Sequence, residues 1–354
     1  MGLWMYLFNQ DEWNYLYGNC SYKTPAQWNA DGTPEVPVGI IYTAIGIICW
    51  VTYIPFLIVM AKKEFIQHSC YKLMFLLGVI DMIVLPFNAI IGGINCARGS
   101  HFCTNPRFNY IVGVIGTSLW YGGSMTCILL AFDRFFEMCF PKAAKKVFGG
   151  KMIYVWLAAP IIYILWSFTQ VPLVYSIVHH AFFFDPFAGS PGFESDRFLS
   201  TFHTVHNMIV ITCIGGVYMT LVITLTIRYK VYNNQAISKF QLLLTAQSLC
   251  ICVEMVVAAV IYVYMQYFPI SDAFVIIAHV CWICVHGDTP IVYFALNESL
   301  RKGVFRLVFK FKLNRTTTNI NHAHLKSIRS SGLYATKNSV VPATSNEQQG
   351  PAES

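Results

Sequence analysis

Asp81, Asp133, Arg134, Glu254 and Asp288 are ionisable residues set in or against long apolar runs. Such side chains are expensive in hydrocarbon and mark either function or a paired structural network. Asp133 and Arg134 stand side by side where one run closes, in "AFDRFFEM". An acid beside a base at a water boundary can anchor a helix. It can also hold an ion pair that releases the Arg to a partner. Catalytic patterns are missing: the chain has neither an HExxH zinc motif nor a GxSxG elbow. His203 and His206 are three apart and lack further ligands. Cys281 and Cys284 form a CxxC inside an apolar run without companions. The residues point away from an enzyme, a metal site or any other cofactor.

The elements that must position these groups follow from composition. The chain has 354 residues, 56% hydrophobic and 12% charged, against about a quarter charged in soluble proteins. Mean hydropathy is +0.52. Seven stretches reach the roughly 20 apolar residues that span a bilayer. They are about 38–60, 72–94, 109–135, 151–178, 204–228, 240–267 and 273–296. The expected fold is all-α, a rhodopsin-like bundle of seven transmembrane helices. Its parts are an N-terminal segment 1–37, the bundle 38–296, an amphipathic helix 297–312 and a disordered polar tail 313–354. "MGLWMYLFNQDEW" opens apolar, but it has no basic n-region and too short an apolar core for a signal peptide.

Charge sets the expected direction. Of the 24 Lys and Arg, only Lys23, Arg98, Arg107 and Arg197 fall on the side of the N-terminus, and all others fall opposite. By the positive-inside bias the N-terminus is outside and the C-terminus cytoplasmic. The net charge of +7 then faces membrane lipid and needs no nucleic acid. Asn19 in "NCS" is an outer N-glycosylation sequon, whereas the sequons at Asn297 and Asn314 lie inside. In "LRKGVFRLVFKF", Leu300, Val304, Leu307, Val308 and Phe311 make one stripe and Lys302, Arg306 and Lys310 another. That pattern suits a helix lying on anionic lipid.

Within the bundle, Asp81 lies roughly 15 Å and Asp288 roughly 12 Å from the cytoplasmic helix ends at 1.5 Å per residue. The two can share a layer, as a cation-binding switch or as a structural hydrogen-bond network. Glu254, higher up, can bind a basic ligand, pair with His279 or His206, or stay protonated against a neighbouring helix. Tyr110, Trp120, Tyr121, His203, His206, Tyr262, His279 and Trp282 line the outer halves of the spans as a candidate ligand pocket, though belts and packing use the same residue types. Pro55, Pro86, Pro160, Pro172 and Pro290 read as kinks within spans.

Longer motifs add a resemblance. They are "YGNCS" followed by Trp28, "YIPFLIVM", "SCYKLMFLLGVIDM", "FCTNP" and "HGDTPIVYFALNESLRKG". In that order, over about 15–311, the chain resembles the nematode serpentine chemoreceptors of the T class. The resemblance implies a G-protein-coupled receptor on a sensory plasma membrane. Its partners would be a small-molecule ligand, the bilayer and a heterotrimeric G protein. It makes Asp133, Arg134, Pro290 and Tyr293 switch candidates, beside Asp81 and Asp288 from their charges. Thr289 stands where Asn is usual, and Phe135 where Tyr is common. The connection 179–203 has no Cys, so a bridge from Cys103 would run to Cys96 or Cys20. A ligand-gated channel or transporter is the competing reading. It calls for inverted repeats or charge-lined helices, and none is visible.

Overall fold

The computed structural model describes residues 2–18, 20–190, 198–231, 239–268 and 271–309, without the side chains of 228–231 and 240. Asn19, Lys310, Phe311 and the tail fall outside these residues. Among the described residues, five single helices are long and apolar enough to cross a membrane, and two bent pairs bring the number to seven when each pair is one span. Spans 1, 2, 3, 5 and 6 are Val36–Met60, Ser69–Arg98, Pro106–Cys139, Thr201–Val231 and Lys239–Tyr267. Span 4 joins Pro141–Val147 to Met152–Ser167 at 64°, and span 7 joins Asp272–Gly287 to Thr289–Leu296 at 53°. Span 3 is the axis, packed against spans 2, 4, 5 and 6.

The prolines act in different ways. Pro55 and Pro160 lie inside helices. Pro86 opens a π-helical turn, Pro86–Ile91, within span 2, one of the usual causes of a helix bend. Pro290 differs from expectation. The break in span 7 falls at Asp288, and Pro290 sits in the first turn of the next helix, where its missing N–H costs nothing.

Span 4 is shorter than the apolar run suggests. Its helix stops at Ser167, and Pro172 lies beyond it, in the link. The residues expected to continue the span instead form β1 (Val174–Ser176), antiparallel to β2 (Ala181–Phe183), with Tyr175 opposite Phe182. Pro disfavours helix in the residue before it, and a short β-branched run suits a strand equally well. The hairpin packs on span 3. The Leu173 N–H donates to Thr117 Oγ1 at 2.7 Å, and the Leu173 carbonyl approaches Gly113 so closely that a Cβ there would lie 2.2 Å away.

The N-terminal segment is a structured cap. It carries α1 (Gly2–Phe8) and α2 (Gln10–Leu16). Thr24 and Gln27 close a capping box on a further short helix. Trp13, Tyr17 and Trp28 are buried. Cys20 and Cys103 are disulfide-bonded, which joins the cap to the start of span 3. Cys96 is therefore not the partner of Cys103; it stays a buried thiol whose Sγ approaches the Glu35 carbonyl at 3.4 Å.

The chain divides into two compact units, 1–304 and 305–354. Helical residues 298–304 close the first, with Leu300 buried. Residues 305–309, also helical, are the described part of the second.

Candidate functional site

Spans 1, 2 and 7 meet at Asp81, which is fully buried. The Tyr53 hydroxyl donates to Asp81 Oδ2 at 2.5 Å, and His286 Nδ1 pairs with Oδ1 at 2.7 Å. Both carboxylate oxygens are thus taken, and the neighbour of Asp81 is His286 rather than Asp288. Two residues along a helix turn a side chain by about 200°. His286 therefore faces spans 1 and 2, while Asp288 faces span 6. There Asp288 meets Glu254, carboxyl to carboxyl. Glu254 Oε2 and Asp288 Oδ1 are buried without a hydrogen-bond partner. Two such groups in hydrocarbon need a shared proton or a cation between them. Glu254 pairs with neither His279 nor His206.

At one end of the bundle Arg134 is 3% exposed and donates Nε–H to Asp133 Oδ2 at 3.0 Å, with a second bond from its terminal nitrogen. The pair lies within one helix. A clasp beside it crosses three elements. Asn297 Nδ2 donates to the Tyr71 hydroxyl of span 2 and to Gln247 Oε1 of span 6, each at 3.0 Å. Asn297 Oδ1 meanwhile caps the closing helix through Leu300 N–H at 3.0 Å. Sequence reasoning treated Asn297 only as an unused sequon. Its place just after an apolar span and three residues before Leu300 is the signal of a helix cap. Tyr293 is buried near Phe56, ring centroids 5.9 Å apart. Phe135 packs edge-on against Phe136 and Phe140.

The opposite end carries the cap. The aromatic residues expected to line a pocket do converge there, but as a packed floor. Trp120 Nε1–H donates to Asn207 Oδ1 at 3.1 Å. His206 pairs with Ser124 and Tyr163, both at 2.8 Å, and Tyr121 approaches His203 at 3.4 Å. His279 Nε2 donates to the Asn88 carbonyl at 3.2 Å. Tyr110 donates its hydroxyl to the Gly2 carbonyl and belongs to the cap contact. Phe182 of β2 rests on this floor, 5.5 Å from both the His279 and Trp282 rings. Trp120 in turn presents its ring edge-on to His286 at 6.1 Å, so the floor touches the Asp81 layer.

Above the floor lies a cavity of about 420 Å3. Phe182, Phe183, Phe184, Tyr262, Met265 and Val275 supply apolar walls, and His179, Asp185 and Gln266 supply polar points. Among the described residues, no Lys or Arg lines it. Of the expected ligand residues only Tyr262 lines it. Four further wall residues, Phe182 to Asp185, come from "AFFFDPF", 181–187, whose run of aromatics in a connection was the overlooked signal.

Spans 2, 4, 5 and 6 packed on a buried third, with a polar core layer where spans 1, 2 and 7 meet, define a helix bundle of the rhodopsin type. The fold matches the crystal structure of squid rhodopsin with a TM-score of 0.60 over 82% of this chain and 87% of that one, at 13% identity. The family model for the serpentine type 7TM GPCR chemoreceptor Srt matches residues 3–317, so the chain belongs to that family. Serpentine receptor class T-55 of Caenorhabditis elegans is 26% identical over 294 residues, covering 82% of this chain and 80% of that protein. The protein is a multi-pass membrane receptor of the G-protein-coupled class.

Proposed function

We propose that the cap end faces the exterior at the plasma membrane of a sensory cell, takes a small molecule in the 420 Å3 cavity, and drives a heterotrimeric G protein at the Arg134 end. The observation that carries this reading is the stacking of three layers in one bundle. The cavity rests on Phe182 and Trp282, and Trp120 of the same floor touches His286. His286 holds Asp81. Below lies the Tyr71–Asn297–Gln247 clasp beside Arg134.

A molecule wedged against Phe182 or Tyr262 biases the floor and, through it, the rotation of span 7. That rotation strains the clasp at Asn297. A cavity walled by aromatic side chains with a few polar points suits a small organic molecule. The Lys and Arg bias supports the orientation, and a glycan on Asn19 would follow from it. Loss of the deglycosylation shift in Asn19→Gln checks that point.

The test of function is expression with a panel of small chemicals, reading G-protein activation and membrane current together. A response abolished by G-protein blockade, with no residual current, is expected. A current that survives the blockade would contradict the proposal.

A further inference from the structure

The apolar opening "GLWMYLF" has no place in the ligand and G-protein reading, yet it forms a defined element. Helix α1 contains no charged residue and buries Gly2 and Met5 against the bundle. On its other side Trp4, Leu7 and Phe8 are exposed by 64%, 53% and 67%. Positions i, i+3 and i+4 of a helix share one face, so these three make a single stripe. The Trp4 and Phe8 rings touch, with centroids 4.3 Å apart.

The backbone fixes where that stripe sits. Gly2 N–H donates to the Thr169 carbonyl at 2.9 Å and Leu3 N–H to the Phe168 carbonyl at 2.6 Å. Both acceptors lie within two residues of the end of span 4 at Ser167. Tyr110, in the first turns of span 3, donates to the Gly2 carbonyl at 2.8 Å. The same turns of spans 3 and 4 expose Phe108, Ile111, Leu165 and Trp166, the side chains a bilayer would cover. Gly2 permits this docking, because a Cβ there would lie 2.1 Å from the Phe168 carbonyl oxygen. Polarity then changes abruptly. In α2, Gln10, Asp11, Glu12 and Asn14 are exposed and Trp13 turns inward.

We infer that α1 is an interfacial helix whose Trp4–Leu7–Phe8 stripe is immersed in the lipid leaflet at the cap end of the bundle. Helix α2 emerges from it into water. Trp and Phe favour the headgroup boundary, and an apolar face without charge suits it. Three side chains cannot supply the roughly 800 Å2 per partner that a stable protein interface buries. A seven-residue helix is not stable alone, so lipid on one side and the bundle on the other hold it. The anchor also reaches the cavity. Tyr17, just past α2, packs its ring 5.5 Å from Phe198, a cavity wall. The inference holds whichever end of the bundle faces the cell exterior.

Full-length receptor and its Trp4→Phe variant, reconstituted in phosphatidylcholine vesicles, isolate the Trp4 emission as a difference spectrum. It is expected to be quenched at least twofold by lipid carrying a nitroxide at acyl carbon 5 and to be shielded from aqueous iodide. Quenching by iodide but not by lipid would overturn the inference in favour of a solvent-exposed helix. Shielding from both would overturn it in favour of a covering protein, such as a second copy. If Trp4→Phe fails to assemble, Phe8→Trp places an added emitter on the same stripe and is read by the same quenchers with the same outcomes.

Discussion

Asp81 and His286, 205 residues apart in sequence, are joined by a 2.7 Å contact in which neither side chain is exposed to solvent. Tyr53 completes the group from span 1. The three residues tie the middle of the bundle across helices that are not consecutive. Removing one member of such a buried polar group leaves the others unpaired, at a cost of about 1–3 kcal/mol for each unsatisfied group. Asp81→Ala should therefore lower the melting temperature in detergent markedly. Asp81→Asn keeps the volume and one acceptor oxygen, and should fold while losing response to a stimulus. An unchanged response in Asp81→Asn would restrict this residue to a structural role.

The clasp at Asn297 holds spans 2 and 6 against the end of span 7. Each of its hydrogen bonds contributes about 1 kcal/mol, and such an amount shifts a two-state equilibrium about fivefold. Asn297→Ala should raise stimulus-independent G-protein activation by a factor of this order or more. Tyr71→Phe, which removes one of the two partners, should raise it less. Basal activity equal to wild type in both variants would show that the clasp does not restrain opening.

Glu254 and Asp288 bring two carboxyl groups together at the break in span 7. Replacing one by its amide supplies a hydrogen-bond donor and removes the need for a shared proton or cation. Glu254→Gln and Asp288→Asn should each keep or raise thermal stability, and the double variant should not add to the better single one. Glu254→Leu, which leaves Asp288 alone, should destabilise. Strictly additive gains would contradict the pairing.

The cap should respond to pH through His101. Burial pushes the His101 imidazole down to about 4 from 6.5; Asp31 opposes this and Lys23 adds to it. The neutral ring stacks on Trp28 with centroids 4.7 Å apart and accepts the Cys103 N–H at Nδ1. The folded cap thus favours the uncharged form. Its stability is complete above pH 6.5 and declines as pH falls from 6.5 toward about 4. Trp28 emission, taken as the difference from Trp28→Phe, should shift toward a solvated spectrum over that window. The window should vanish in His101→Asn.

The Cys20–Cys103 bridge closes a separation of 83 residues. In the chain-entropy account a loop of this size contributes about 4–5 kcal/mol. Cys20→Ser and Cys103→Ser should lower thermal stability equally, whereas Cys96→Ser should leave free-thiol accessibility at Cys20 and Cys103 unchanged. Loss of the bridge in Cys96→Ser would indicate an alternative pairing.

The membrane helices were legible because a spanning segment must be apolar along its whole length, and composition records that directly. The fourth span was over-read because 171–178 is apolar, but strand pairing and Pro172 decide its conformation. The proline in span 7 suggested a kink at its own position, whereas the bend falls at Asp288 and Pro290 opens the following helix. The polar layer was half legible. Asp81 and Asp288 announce themselves as charges in hydrocarbon, and His286 is an ionisable ring in the same span as Asp288, but which side chain each meets depends on the rotation of one helix against another. The cavity wall came from a connection, where periodicity carries no information about what folds back onto the bundle. The cap followed from a disulfide and scattered aromatics whose burial only the fold reveals.

We propose that Arg134, held by Asp133 beside the clasp, is the group through which the receptor engages its G protein. The direct measurement is nucleotide exchange on a co-expressed heterotrimeric G protein. Wild type and Arg134→Ala would be compared at equal surface expression, against a stimulus found in the chemical panel. Wild type should activate exchange and the variant should not, while both bind the stimulus with the same affinity. Exchange that persists in Arg134→Ala at wild-type level would contradict the account.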